Sequence, residues 1–133
     1  MAVYGHFLPV TITYLLSEGT IIMAREITET DWKLFRQLQL IALERLSERI
    51  VSDVRIISSD TGNTFHQRYL GIFDLIQSQN ENMSRAFDNP RRSTALMQLA
   101  AIRSQGLITD DEFNRFSDET CALIEILIGS DRA

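Results

Sequence analysis

His66 is where chemistry would first be sought in this sequence. It falls in the first turn of a predicted helix, with Arg68 and Tyr69 close by, so a general base is conceivable there. No serine, cysteine or carboxylate stands at a spacing that would make it part of a catalytic set, and a surface histidine is the simpler reading. The single cysteine, Cys121, sits among apolar residues, which suits a buried, inert thiol better than a nucleophile. One cysteine also excludes an intrachain disulfide and a cysteine-based zinc cluster. Asp110, Asp111 and Glu112 lack the spacing of a calcium loop and suit the start of a helix, where negative charge opposes the helix dipole. Arg85, Arg91 and Arg92 form a basic stretch around Pro90. With Pro90 at the first helical position, backbone amides and two guanidinium groups there could hold a phosphate. Pairing of these arginines with the protein's own surplus carboxylates is favoured, since the net charge is −5. The glycines are isolated and match no phosphate-cradling loop. No catalytic residue, metal or cofactor is therefore assigned.

The elements that position these residues read as helices. A stretch of about 30–58 carries neither glycine nor proline and is the longest helical pattern in the chain, with Thr30 as its expected N-cap. Leu34, Phe35, Leu38, Ile41 and Ala42 share one face of its first half. Leu40, Leu43, Leu46, Ile50, Val51, Val54 and Ile57 form a second face, more than a quarter turn away. The apolar stripe thus rotates, and different neighbours are expected to cover the two halves. Arg45, Glu48, Arg49 and Asp53 share a polar face read as solvent-facing. Thr64 and Gln67 have capping-box spacing, and Phe65, Tyr69, Ile72, Phe73 and Ile76 make the expected inward face of a second helix, which either frays near residue 78 or continues to Phe87. Asn89 and Pro90 are expected to open a third helix. Ala95, Leu96, Leu99 and Ile102 point inward from it, and Gly106 ends it as a left-handed cap. Thr109 with Glu112 forms a second capping box, flanked by a hydrophobic staple of Ile108 and Phe113. A final helix from Asp118 to Ile128, followed by Gly129, is apolar nearly all round. It belongs in the centre of the fold or at an oligomer interface.

Residues 96–113 read L-M-Q-L-A-A-I-R-S-Q-G-L-I-T-D-D-E-F. Through Leu96, Leu99, Ile102, Gly106, Leu107, Ile108, Thr109, Glu112 and Phe113 this segment resembles the short C-terminal domain, a helical hairpin known as SHOCT. After Phe113 the lysine-rich continuation of that pattern is missing. The resemblance implies an interaction or oligomerisation role without catalysis.

Length and composition fit one ordinary globular domain: 133 residues, 44% hydrophobic and 23% charged. Residues 1–22 stand apart. Val10 to Tyr14 favour a short strand with nothing evident to pair with, and Met23 is expected to be the natural start, which would make 1–22 an upstream extension. The apolar run 7–16 is too short to span a bilayer as a helix, so a cytoplasmic location without membrane contact is expected. The acidic balance disfavours nucleic acid. The expected fold is an all-α bundle of four to five helices over residues 23–133, built around the long helix, with a strand or irregular segment before it. The expected function is protein interaction or oligomerisation, most simply as a homodimer, with Leu40, Leu43, Val51, Ile124, Leu127 and Ile128 as candidate interface residues. The alternatives are a phosphate- or nucleic-acid-binding regulator acting through Arg85, Arg91 and Arg92, and an enzyme with a pocket near His66.

Overall fold

The computed structural model describes residues 26–132, so the expected N-terminal strand and the start at Met23 lie outside the described residues. Five helices follow one another with no strand among the described residues: α1 (Glu29–Ser59), α2 (Phe65–Phe87), α3 (Ala95–Ser104), α4 (Asp110–Phe113) and α5 (Asp118–Arg132). The fold is all-α, as the periodicity predicts.

Helix α1 starts two residues earlier than expected. Thr28, rather than Thr30, is the N-cap, its hydroxyl accepting from the backbone N–H of Asp31. Burial decides between the two threonines: Ile27, just before the cap, is anchored in the core, which fixes where the chain enters the helix. From there Phe35, Leu38, Ala42, Leu46 and Ile50 run as one buried stripe at spacings of three and four. Val54 and Ile57 are half-buried on another part of the helix, and Ile57 comes close to Gly71 of α2. Val54 packs against the same core as that stripe, so residues of both expected faces share one cover, and Leu40 and Val51 of the expected second face lie outside it. No residue of α1 after Ile50 is buried.

Helix α2 returns antiparallel to α1. Its capping box is formed, with the Gln67 N–H donating to Thr64 Oγ1 at 3.0 Å and the Thr64 N–H donating to Gln67 Oε1 at 2.8 Å. Ala86 is its only buried residue, with Met83 and Phe87 packed against the core beside it. The first two-thirds of α2 and the last turns of α1 therefore stand out from the body as a two-helix arm.

Helix α3 starts later than Pro90 suggests. Asn89 takes a left-handed conformation (φ 49°), residues 91–94 form a turn closed by Thr94 N–H donating to Arg91 O, and the helix begins at Ala95. Side-chain bonds hold this delayed start. Gln98 Nε2 donates to Asp88 O at 2.8 Å, and Arg92 reaches Glu29 and Ile27 O. At the other end Gly106 (φ 69°) donates to Arg103 O while Leu107 N–H donates to Ile102 O, the two bonds of a Schellman cap. The capping box of Thr109 and Glu112 is present, and both staple residues, Ile108 and Phe113, are buried.

Helix α5 runs through Gly129 to Arg132 instead of stopping at Ile128. Ile124, Leu127 and Ile128 are buried in the core with Leu99, Ile102 and Phe116, so that side of the helix serves the centre of the body, while Ile126 on the other side is exposed. The start of α5 is tied to the start of α1. Asp31, almost fully buried, accepts from Ser117 N–H at 3.1 Å, Ser117 Oγ at 2.6 Å and Thr120 Oγ1 at 2.7 Å. The charge sits at the N-terminal end of α5, where the backbone dipoles favour it.

Candidate interaction surface

Along the arm, α2 meets one helix only. A Cβ added to Gly71 would lie 3.3 Å from Ile57 Cγ2, so the two backbones approach closely there. The residues expected to form the inward face of α2 are mostly on the outside: Phe65 is 83% exposed and Tyr69 62%, and Phe73 and Ile76 are exposed as well, while Ile72 is half-buried. Their spacings of four, four and three residues keep Phe65, Tyr69, Phe73 and Ile76 on one face. The correction has a simple cause. An amphipathic pattern says that a face is apolar, and coverage depends on whether the neighbouring helix is wide and apolar enough. Between Val51 and Ser59, α1 spreads its few apolar residues over several sides of the helix.

The tip that carries Phe65 is well knit. Asp60 accepts from Gly62 N–H and from Asn63 Nδ2, and Arg68 donates to Asn63 O and Ser58 O while its guanidinium carbon lies 4.4 Å from the Phe65 ring centre. The tip and its Phe65 are therefore held in place by the chain's own bonds. Between residues 51 and 80 the charged residues are Asp53, Arg55, Asp60, Arg68 and Asp74, a nearly neutral set.

The other candidates are placed less favourably. Arg85, Asp88, Asn89 and Arg91 border an open depression of about 360 Å³. Arg92 is not part of it, being bonded to Glu29 Oε1 at 3.0 Å and Ile27 O at 3.1 Å. Arg85 lies 3.5 Å from Glu81, and with the Asn89 amide oxygen turned toward it, Arg91 donates to Asn89 at 2.7 Å. The carboxylate of Asp88 lies in the same depression, so the expected set of three cationic groups is not assembled. His66 is exposed on the arm and stacks on Tyr69 at 6.0 Å. Cys121 is half-buried, directs its Sγ to Phe113 O and Phe116 O, and is pushed up from its ordinary pKa by burial, which keeps it a thiol. Among the described residues no three His, Cys, Asp or Glu side chains come close enough to hold a metal ion. Asp110 pairs with Arg103 at 2.7 Å, and Glu112 with Arg45.

That last pair gives Arg45 a partner beyond α1, while Glu48, Arg49 and Asp53 of the same polar face are exposed as expected. Arg45 Nη1 and Nη2 lie 2.6 Å and 3.0 Å from the two Glu112 oxygens, Nη1 also donates to Leu107 O, and Arg49 donates to Gln105 O. Arg45 and Arg49 thus clamp the turn around Gly106 onto the long helix. Arg45 holds the Glu112 carboxyl down to about 2 from an ordinary 4.5.

Fold and surface together define a small all-α body with a protruding helical hairpin that bears an uncovered apolar stripe. Comparison with protein-family models, with curated proteins and with solved structures finds no match in any of the three. No described helix is long and apolar enough to cross a membrane.

Proposed function

We propose that this chain is a cytoplasmic protein-interaction module without catalysis, and that its binding surface is the apolar stripe of the α1–α2 arm, engaged by a second copy of the chain or by another protein. The observation that carries the proposal is the exposure of Phe65, Tyr69, Phe73 and Ile76 on one face of a preorganised hairpin. Aromatic side chains with low ordering cost are the usual anchors of protein interfaces, and a contiguous apolar face of this kind is rare on a surface that meets only water. Of the candidate interface residues, Leu40 and Val51 remain available beside this stripe, and Leu43 is half-buried. The resemblance of residues 96–113 to the short C-terminal domain supports the same class of function. Phosphate binding ranks below it because Arg92 is already engaged by Glu29 and the acidic Asp88 lines the same depression as Arg85 and Arg91.

The test compares the wild-type chain with a Phe65→Ser/Phe73→Ser variant, both immobilised and exposed to extract of cells that express the gene. Proteins held by the wild type and released by the variant are expected. Identical retained sets, with both forms folded by circular dichroism, would overturn the proposal.

A further inference from the structure

Two contacts set the register of the arm. Ile57 lies against Gly71, and Gln39 Nε2 donates to Ala86 O at 3.4 Å. Interpolation between them puts Val51 level with Ile76 to within about one residue. Leu40, 72% exposed, precedes Val51 by eleven residues, and Phe65 precedes Ile76 by eleven. Eleven residues are close to three full turns, so Leu40 shares the face of Val51 and Phe65 shares the face of Ile76. Because α1 and α2 are antiparallel, Leu40 lies about 16 Å toward the body and Phe65 about 16 Å toward the tip from a common centre at Val51 and Ile76.

The two stripes also point the same way. On each helix the stripe lies a little over a quarter turn, in the direction of increasing residue number, from the face that meets the other helix. Equal rotations of that kind on antiparallel helices turn both stripes to one side of the hairpin. On α1 that side is about 140° round from Phe35 and Leu46, which point into the body. α2 thus presents two apolar faces roughly at right angles, as a helix with two neighbours in a four-helix bundle does, while the second face of α1 carries Leu40 and Val51 three turns apart with Glu44 and Ser47 between them.

From this self-complementary spacing we infer that the occupant of the stripe is a second copy of this chain, the two arms forming an antiparallel four-helix bundle about a two-fold axis that passes at the level of Val51 and Ile76. The inference rests on the interaction reading above and names its partner. The rotation brings Phe65 and Tyr69 at each tip to the layer of Leu40 in the other copy. Placed tip to tip instead, Phe65 would find only α2 of the other copy, because α1 ends at Ser59. The three aromatic residues expose about 400 Å² at roughly 200 Å² each, and Leu40, Val51 and Ile76 raise this to about 650 Å². That approaches the ~800 Å² per partner of a stable interface. Asp74 lies off the α2 stripe, Arg68 covers one side of the Phe65 ring, and exposed Glu44 shares the face of Leu40 and Val51 on α1, where the two-fold axis brings it to the level of Tyr69 in the other copy and not to another carboxylate.

The test is the mass in solution by sedimentation across the micromolar range for the full chain, for Phe65→Lys, for Leu40→Glu and for the double variant. The wild type is expected at twice the chain mass, each single variant about 30-fold weaker, and the double variant at least tenfold tighter than the weaker single one. The new Lys and Glu are about 33 Å apart within one chain and can meet only across the two-fold axis. Both sites are exposed, so unchanged circular dichroism is expected for every variant, and unchanged melting at dilutions where single chains prevail. A wild type that stays monomeric throughout overturns the inference, as does a dimer indifferent to both single changes, or a double variant no tighter than the weaker single one. If the chain is monomeric yet Phe65→Ser/Phe73→Ser still releases proteins from extract, the interaction reading stands and only the second copy is refuted.

Discussion

Replacing Glu112 with glutamine removes one charge from the clamp between α1 and the turn around Gly106 while leaving an amide oxygen at the N3 position to accept the Thr109 N–H, now bonded at 2.8 Å. The folded-state pKa of Glu112, about 2, lies below its ordinary 4.5, chiefly through the hydrogen bonds from Arg45. Its contribution is therefore fully present above pH 4.5 and is lost as the pH falls through about 2. A depression of that size corresponds to about 3 kcal/mol if the pair were shielded from water. The Arg45 side chain is 38% exposed, and solvent screening lowers the expected value to about 1–2 kcal/mol. Urea unfolding of wild type and Glu112→Gln, carried out from neutral pH down to the acid limit, measures it. The variant is expected to be less stable by about 1–2 kcal/mol at neutral pH, or roughly 3–6 °C in Tm. The gap should narrow below pH 4.5 and close near pH 2. A gap that is the same size in acid as at neutrality would show that the loss comes from shape rather than charge. A gap near zero at pH 7 would show that the pair is solvated and holds nothing.

Three further outcomes follow from the same structure. Asp31→Ala leaves Ser117 and Thr120 without their shared acceptor, and denaturant unfolding should show a loss of about 2–4 kcal/mol. Gly106→Ala meets no atom within 4 Å, so its cost is the left-handed backbone alone, about 1–2 kcal/mol by thermal melting. Phe65→Ser removes a side chain with little intrachain cover, and at dilutions where single chains prevail it should change folding stability by less than about 0.5 kcal/mol.

Much of the fold could be read from residue types because it depends on local rules. The capping boxes at Thr64 and Thr109, the left-handed cap at Gly106 and the staple of Ile108 and Phe113 are each complete within a few residues, so sequence spacing determines them. The misplaced features are those settled at long range. Thr30 lost to Thr28 because Ile27 is anchored by the core. Pro90 did not start α3 because Arg92 is drawn to Glu29 and Ile27, on the other side of the chain order. Arg45 resembled part of a solvated face because nothing local reveals that the turn around Gly106 lies over it. The candidate surface was legible in part. The residues of the α2 stripe stood out as an apolar face, but whether that face is covered depends on α1, whose apolar residues scatter after Ile50. Conversely, Ile124, Leu127 and Ile128 were interface candidates on the same apolar evidence, and the body consumed them. By its local sequence Asp31 is only an acidic residue in the first turn of α1, and nothing near it signals its bonds to Ser117 and Thr120.

The bonds from Asp31 to Ser117 and Thr120 join residues 86 and 89 positions apart. Closures of that length are slow compared with zipping two consecutive helices into a hairpin. The order of events during synthesis follows. α1 and α2 can pair while α5 is still being made, and at roughly 5–20 residues per second the side of α1 that will hold Phe35 and Leu46 waits seconds for its cover. For that interval the hairpin is apolar on both sides, until α3 and the elements after it close over the side of α1 that faces the body. The chain that follows α2 thus ends the period in which Phe35 and Leu46 of a growing chain lie open to water.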